Sequence, residues 1–450
     1  MTGLNSFHPK IHIVKPFLVV LTGFVLAVIV SEAAYALGGL SLSEHIDLEW
    51  GGHVKMQGKL SDVDDRSIFK YVETGYFADG ACDFRLMNKA FLGNRAILEI
   101  HYEAVLSGGD TRRRTNTLMK TYPALEKWIS FFGTPVDDKR RLMDLTKTIS
   151  EDDGYIFYHR LDRLLLTFQP DWGSLYLGRQ ALTWGNGMLF NPMDLFNPFP
   201  PTDVNKDYKI GDDMARGLFF TETLGELQLL YVPRRDLING DVSWDESSVA
   251  GKLHRAFGSL EFDLMAAKHY RDYVFGLGST GYVKGAAWRL DVTWTVLDDH
   301  PDKNGFVSLD ANLDYSWTWM GKNIYGFVEF FYNGLGQDDY AKAITDPAVL
   351  ERLVRGELFT LGKAYLSALI QLETHPLVNI YLTLINNLED PSGIIQPKIV
   401  WDIKQYLQLN TGGTFYYGGN DTEYGKFYIE PYDFYQVPAD SIYCILTCFF

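Results

Sequence analysis

The chain has 450 residues, 46% hydrophobic and 15% aromatic, with a mean hydropathy of -0.10 and a formal charge of -16. So acidic a chain is a poor partner for nucleic acid, whose phosphates demand clustered Lys and Arg. Near-neutral hydropathy with so many aromatics excludes a bundle of apolar membrane helices and points to apolar residues spaced through polar ones, as strands space them.

The N-terminus reads as a secretion signal: Lys10 and Lys15, an apolar stretch over 17–30, then Ala34-Tyr35-Ala36. Cleavage is expected after Ala36, giving a signal peptide over 1–36 and a barrel over 37–450. The apolar stretch is shorter than the roughly 20 residues an anchor needs, and no stop-transfer charges follow it. Losing Lys10, Lys15 and Glu32, a net +1, leaves the exported chain near -17. Of the three cysteines, Cys444 and Cys448 share one expected strand, about 13 Å apart and too far to bridge. No disulfide framework follows from Cys82, Cys444 and Cys448, no Cys-x-x-Cys-His attaches haem, and no cysteine follows the signal to carry lipid. Neither a cofactor nor a metal site is expected.

From Ile46 onward, apolar and polar residues alternate segment after segment. The expected spans are 46–59, 80–92, 95–106, 155–168, 174–184, 215–224, 226–234, 248–257, 259–269, 273–281, 286–297, 306–319, 322–333, 356–372, 377–388, 393–403, 405–417 and 440–450, about 18 strands. In the third, Ala96, Leu98, Ile100 and Tyr102 oppose Glu99, His101 and Glu103. The connection 108–154 is too long for a bare loop; helix-like stretches at 118–132 and 139–148 suggest a partly helical extracellular or lumen-plugging insertion. Its Arg112-Arg113-Arg114 reads as a solvated or lipopolysaccharide-facing run. In 155–168, His159 and Arg163 fall on one face and Arg160 and Asp162 on the other. An Arg at the bilayer midplane costs about 2–4 kcal/mol, so a bulge or a position beyond the lipid is required there.

The connection 185–213 carries Phe190, Pro192, Met193, Phe196, Pro198, Phe199, Pro200 and Pro201, then Asp203, Lys206, Asp207, Lys209, Asp212 and Asp213. So apolar a loop should pack on the lumen wall as a constriction, or else lie as a lid across the mouth or against a partner. Further on, Trp288, Leu290, Val292, Trp294 and Val296 oppose Arg289, Asp291, Thr293 and Thr295. The cleanest alternation sets Leu309, Ala311, Leu313, Tyr315, Trp317 and Trp319 against Asp310, Asn312, Asp314, Ser316 and Thr318.

Period two alone fits a soluble sandwich as well as a membrane barrel, but strand length and turn pattern separate them. These strands match a tilted bilayer crossing, and tight turns at Gly93-Asn94, Asp171-Trp172-Gly173, Gly225, Gly258, Lys284-Gly285, Gly321-Lys322 and His375-Pro376 alternate with mostly longer, polar connections. Trp172, Trp288, Trp317, Trp319 and Trp401 fall near the tight-turn ends, as an interfacial girdle does. The expected fold is all-β: a transmembrane antiparallel up-and-down β-barrel with short periplasmic turns and long extracellular loops. Inward charges then include Asp83, Arg85, Lys89, Glu99, His101, Glu103, Lys252, Glu261, Asp263, Arg289, Asp291, Asp310, Asp314, Glu329 and Lys363. Acid exceeds base among them, a weak lean toward cations.

The last expected strand sets Ile442, Cys444, Leu446, Cys448 and Phe450 on one side, and its terminal Phe450 resembles the C-terminal signal by which the assembly machinery recognises outer-membrane barrels. Gly178-Arg179-Gln180 leading into Trp184-Gly185, followed by the Pro/Phe/Asp loop, resembles porin-like families of the Gram-negative outer membrane, alginate-export-type proteins among them. The match covers about forty residues. It implies that Arg179 lies near a lumen constriction, with Gln180, Trp184, Asp203, Lys206, Asp207, Asp212 and Asp213 around it.

Three functions compete. A porin would pass small hydrophilic solutes passively; a sheath would enclose a partner such as a multihaem cytochrome or an exported polysaccharide; an outer-membrane enzyme would need convergent catalytic groups. Neither Gly-x-Ser-x-Gly nor His-Glu-x-x-His occurs, and His101 beside Glu99 and Glu103 reads as a lumen ladder. Asp152-Asp153 and Asp212-Asp213 lack the spacing of a known calcium loop. Outer-membrane lipid, lipopolysaccharide and a second copy of the chain are the other expected partners.

Overall fold

The computed structural model describes residues 39–43, 45–123, 136–198, 200, 208–223, 225–298 and 303–450. The expected signal peptide, Asp203, Lys206 and Asp207 lie outside them.

In chain order the strands are β1 (Gly39–Ser43), β2 (Ile46–Val63), β3 (Gly75–Leu92), β4 (Ala96–Gly109), β5 (Thr146–Asp152), β6 (Tyr155–Phe168), β7 (Gly173–Gln180), β8 (Asp212–Thr221), β9 (Gly225–Arg235), β10 (Val242–Phe257) and β11 (Leu260–His269). They continue with β12 (Asp272–Val283), β13 (Ala286–Val296), β14 (Gly305–Trp319), β15 (Lys322–Asn333), β16 (Ala364–His375), β17 (Val378–Asn387), β18 (Gly393–Lys404), β19 (Leu407–Tyr417), β20 (Phe427–Ile429), β21 (Phe434–Gln436) and β22 (Asp440–Phe449). Eighteen of them, β2–β4, β6–β19 and β22, close into one antiparallel barrel in which β22 returns to β2 from His53↔Phe449 to Asp62↔Asp440. Closure leaves no long sheet edge unpaired, which is what a backbone in lipid requires.

Burial is inverted relative to a water-soluble sheet. On β14, Ser308, Asp310 and Asn312 are buried while Leu313, Tyr315, Trp317 and Trp319 are exposed. On β12 and β13, Phe275, Leu277 and Trp294 stand outside, and Asp291, Thr293 and Thr295 lie within. Only a solvent of acyl chains makes such an apolar outer face favourable, and only an aqueous interior suits the polar inner one.

Connections at one end are two to four residues long. Two of them have positive φ at both central residues, Lys284 (49°) with Gly285 (86°) and Met320 (52°) with Gly321 (72°), the backbone that matches hairpin twist. Trp172, Trp288, Trp317, Trp319 and Trp401 all sit near this end, and Trp172 stacks on Phe219. The opposite end holds the long connections, and there Ile68, Leu118, Tyr340, Ile344, Phe427, Ile429 and Phe434 from separate loops form one apolar cluster.

Two local expectations are corrected, at 139–148 and 356–363. Residues 139–148 are not helical: the segment turns, then enters β5, where β-branched Thr146, Thr148 and Ile149 lie along the edge of β6 that short β7 leaves open. Of the helix-like stretch expected over 118–132, residues 118–121 are the end of a helix Asp110–Thr121 that stops ahead of Pro123; residues 124–132 lie outside the described residues. The strand expected over 356–372 starts at Ala364, because a helix Pro347–Arg355 ends on left-handed Gly356 (φ 71°) and a loop follows. Lys363 therefore does not face the lumen; it pairs with Asp338 at 2.6 Å on the rim.

The charge conflict in β6 resolves as a bulge. Pairing with β4 shifts between His101↔Arg163 and Tyr102↔Leu161, leaving Asp162 as the extra residue, so Arg160, Asp162 and Arg163 all reach the interior. The Arg112-Arg113-Arg114 run is occupied locally: Arg112 meets Glu151 at 2.6 Å, Arg113 meets Asp110 at 2.5 Å, and Arg114 meets Glu73 at 3.1 Å and lies over the Phe77 ring.

Candidate functional site

The described parts of the connection 181–211, residues 181–198, 200 and 208–211, fold into the barrel, where the apolar residues of 182–196 pack on the inner wall. Trp184, Met193 and Phe196, all nearly inaccessible, pack with Leu182 and Met214 against Leu230, Val232, Ala250, Met265, Ala267 and Val274 of β9–β12. Trp184 also donates its indole N–H to Gln228 Oε1 at 3.0 Å.

The outgoing leg is tied to β13–β15. Glu329 accepts three successive backbone amides, from Met188 at 2.7 Å, Leu189 at 3.0 Å and Phe190 at 3.3 Å. Asp291 accepts the Asn186 amide at 2.5 Å and its side-chain Nδ2 at 2.9 Å. Asn312 donates to Asn186 O at 3.3 Å and to Asp310 at 2.9 Å. Phe190 stacks flat on Phe331, centroids 4.5 Å apart. Gly185 makes the turn possible: its φ is +86°, and a Cβ there would lie 2.2 Å from Asn191 Oδ1 and 2.8 Å from Asp291 Oδ2.

The returning leg is tied to the opposite wall, β3–β6. The Tyr208 hydroxyl meets Glu103 and, at 3.1 Å, Asp83, while the Arg85 guanidinium lies 3.5 Å from its ring centroid. Gly211 donates to Asp162 at 3.1 Å, and Arg163 donates to Lys209 O at 2.6 Å. Lys209 in turn pairs with Asp194 on the outgoing leg. Burial pushes the Asp194 carboxyl up to about 7, although Lys209 pulls it down. The two described legs of the loop are thus tied to different walls and joined to each other by Lys209 and Asp194.

Those walls differ in charge. On β2–β6, Lys55, Arg85, Arg160 and Arg163 stand among Asp83, Glu103 and Asp162; on β10–β15, Lys252 and Arg289 stand among Asp263, Asp291, Asp310, Asp314 and Glu329. Glu99 pairs with Lys89 at 3.6 Å, and His101 meets Arg85 at 3.3 Å rather than either neighbouring glutamate.

Arg179 is placed differently from what the resemblance implied. It sits at the upper end of β7 on the face of Leu177, which is 51% exposed, whereas Gly178 and Gln180 take the lumen face. It is nevertheless buried, because 138–145 covers the point where β7 and β8 stop. Its guanidinium donates to Asp213 at 2.8 Å, to Asp138 at 3.0 Å and to Met143 O at 2.6 Å. Burial opposes ionisation of Asp138, but Arg141 and Arg179 hold its carboxyl below the usual range. Asp212 pairs with Arg234 at 2.9 Å, and Gln180 donates to Met214 O at 3.3 Å. Arg179, Asp213 and Asp212 therefore join wall segments, Trp184 packs the loop, and the residues that hold the loop across the lumen are Glu329, Asp291, Glu103 and Tyr208. Glu329, Asp291 and Glu103 were legible as inward charges; Tyr208 carried no periodic signal.

No family model and no curated protein matches the chain. Solved structures do match. OccAB2 of Acinetobacter baumannii superposes with a TM-score of 0.50 at 8% identity, over 89% of this chain and 98% of that one. OpdL of Pseudomonas aeruginosa gives 0.49 at 11% identity over 90% and 98%. Wzi of Escherichia coli, an outer-membrane protein involved in group 1 capsule assembly and a carbohydrate-binding β-barrel, gives 0.48 at 9% identity over 88% and 84%. At such identities the likeness concerns the fold alone, and the fold is the closed 18-strand antiparallel barrel of outer-membrane porin structures.

Proposed function

We propose that the protein is an outer-membrane channel for passive passage of small hydrophilic solutes, narrowed by the loop 181–211 and leaning weakly toward cations. One observation carries the reading: a closed barrel with a lipid-suited exterior and polar interior has a loop held across that interior by Glu329 and Asp291 on one wall and by Glu103 on the other. A loop anchored at both walls narrows a pore without needing a partner to hold it. The acidic β10–β15 wall supplies the cation lean, and Asp203, Lys206 and Asp207 complete the loop's own charge. In this reading the two- to four-residue turns face the periplasm, the signal over 1–36 is removed, and Phe450 closes the strand presented to the assembly machinery.

Purified protein in planar bilayers tests it. Discrete conductance steps in KCl, with a reversal potential of cation-selective sign across a salt gradient, are the expected result. Bilayers that stay silent would favour a sheath that conducts nothing without its partner.

A further inference from the structure

Four connections at the long-connection end of the barrel meet in one apolar cluster: Ile68 follows β2, Leu118 follows β4, Tyr340 follows β15 and Phe427 follows β19. Counted round the barrel from β2, β6 is the fourth wall strand and β15 the thirteenth of eighteen. The cluster is therefore a continuous cap along half of the rim, from β15 through β22 and β2 to β6. Burial of its apolar side chains favours the closed cap.

Beside the cap lies a polar hub built on two carboxyls. Glu423, buried, accepts the Leu361 amide at 2.6 Å, the Tyr365 hydroxyl at 2.5 Å and Asn387 Nδ2 at 2.8 Å. Asp390 accepts the Tyr340 hydroxyl at 2.6 Å and the Glu423 amide at 2.9 Å. Tyr340 and Leu361 belong to both: their side chains pack in the cap, while the Tyr340 hydroxyl and the Leu361 amide bind the hub. The titratable groups facing Glu423 are Asp390 of the β17–β18 connection, Tyr340 of β15–β16, Tyr365 of β16 and Tyr424 of its own loop. Among the described residues no Lys, Arg or His pairs with either carboxyl; Lys363, next to this hub in sequence, is taken by Asp338 at 2.6 Å. Two carboxyls in a dry site without a counter-charge disfavour double ionisation. Burial pushes the Glu423 carboxyl up to about 7, and Asp390 pushes the same way, against the hydrogen bonds it accepts.

We propose that this hub is a proton-controlled latch: the cap stays shut while Glu423 carries its proton and loosens once both carboxyls are ionised, opening that half of the mouth. A group that holds its proton more tightly in the closed state than in the open one favours closure at low pH, and the preference fades as pH rises through its closed-state value. For Glu423 the closed state should lose about tenfold in relative population between pH 6 and pH 8. Only the effect on current rests on the channel reading; the latch itself does not.

Thiol labelling of the whole detergent-solubilised protein tests the latch. In a background with Cys82, Cys444 and Cys448 changed to serine, Ala343→Cys places a thiol at a position 0% exposed, in the same short helix as Tyr340. Its labelling rate with a water-soluble maleimide is divided by that of Ile238→Cys, a position 96% exposed, at the same pH. The ratio should rise about tenfold from pH 6 to pH 8, and Glu423→Gln should flatten it. Asp390→Asn, which gives Glu423 a neutral neighbour, should make the rise shallower. A ratio indifferent to pH, or a Glu423→Gln slope equal to the parent's, overturns the proposal. Where Glu423→Gln labels fast at both values its cap has failed to close, and Asp390→Asn decides: an unchanged slope there overturns the proposal. KCl currents of the same preparations should grow from pH 6 to pH 8 by more in the parent than in Glu423→Gln. Labelling that depends on pH and on Glu423, with silent bilayers, supports the latch and overturns the channel reading instead.

Discussion

Replacing Glu329 with alanine removes the acceptor of three consecutive loop amides. Hydrogen bonds to a charged group contribute about 1.5–3 kcal/mol each, so three amides left dry would cost about 4–9 kcal/mol if the loop kept its position. The nearest compensation is the stack of Phe190 on Phe331, worth about 0.5–1.5 kcal/mol beyond burial. That is too little, so the outgoing leg leaves the wall and its amides turn to water. Single-channel recording in KCl should show a larger and noisier conductance for Glu329→Ala. Glu329→Gln, which keeps one carbonyl acceptor, should fall between it and wild type. A Glu329→Ala channel of wild-type conductance, with the loop as resistant to protease as before, would refute the claim that this carboxylate latches a pore-narrowing loop.

Arg179→Ala should destabilise the barrel by about 3–5 kcal/mol, the cost of stranding buried Asp138 and Asp213, seen as a lower urea midpoint. Its reversal potential should not move; a shifted potential with unchanged stability would return Arg179 to the filter. Leu277→Arg places a charge on the lipid face of β12, where Leu277 is 48% exposed, and should cost about 2–4 kcal/mol of folding into bilayers; no loss would mean that this face meets no lipid. The fourth prediction concerns pH. Burial pushes the Glu423 carboxyl up from 4.5 to about 7, against the hydrogen bonds it accepts from Leu361, Tyr365 and Asn387. The folded loop then holds this proton more tightly than the unfolded one, so its stabilisation is full below about pH 4.5 and declines as pH rises through about 7. Protease nicking within 418–426 should increase from about pH 5 to about pH 8, and Glu423→Gln should flatten the trend. Equal resistance at both values would contradict it.

The barrel was legible because lipid outside and water inside impose a strict two-residue alternation. Ser308 to Trp319 obeys it, and glycines with positive φ mark hairpins such as Lys284-Gly285. Even the discordant stretch Tyr155–Phe168 was informative, since charges on both faces called for a bulge or a position beyond the lipid, and Asp162 forms the bulge. The loop's apolar content showed that it needed a dry surface, but not which one: Glu329 and Asp291 lie more than a hundred residues from their amide partners, and no local pattern encodes a contact across a barrel. Arg179 was misplaced for a related reason, because 138–145, which buries it, enters the wall only where β7 ends early. Residues 139–148 read as helix because an added edge strand depends on a vacancy in the sheet, which the segment itself does not reveal.

Ser316 and Tyr315 are chain neighbours on opposite faces of β14, both exposed, one to the interior and one to the outside. In a background with Cys82, Cys444 and Cys448 replaced by serine, each is changed to cysteine and treated with a charged, membrane-impermeant thiol reagent during current recording. Modification of Ser316→Cys should step the current down, while Tyr315→Cys should leave it unchanged. Insensitivity at 316, or a block at 315, would contradict a water-filled, ion-conducting interior lined by the polar face.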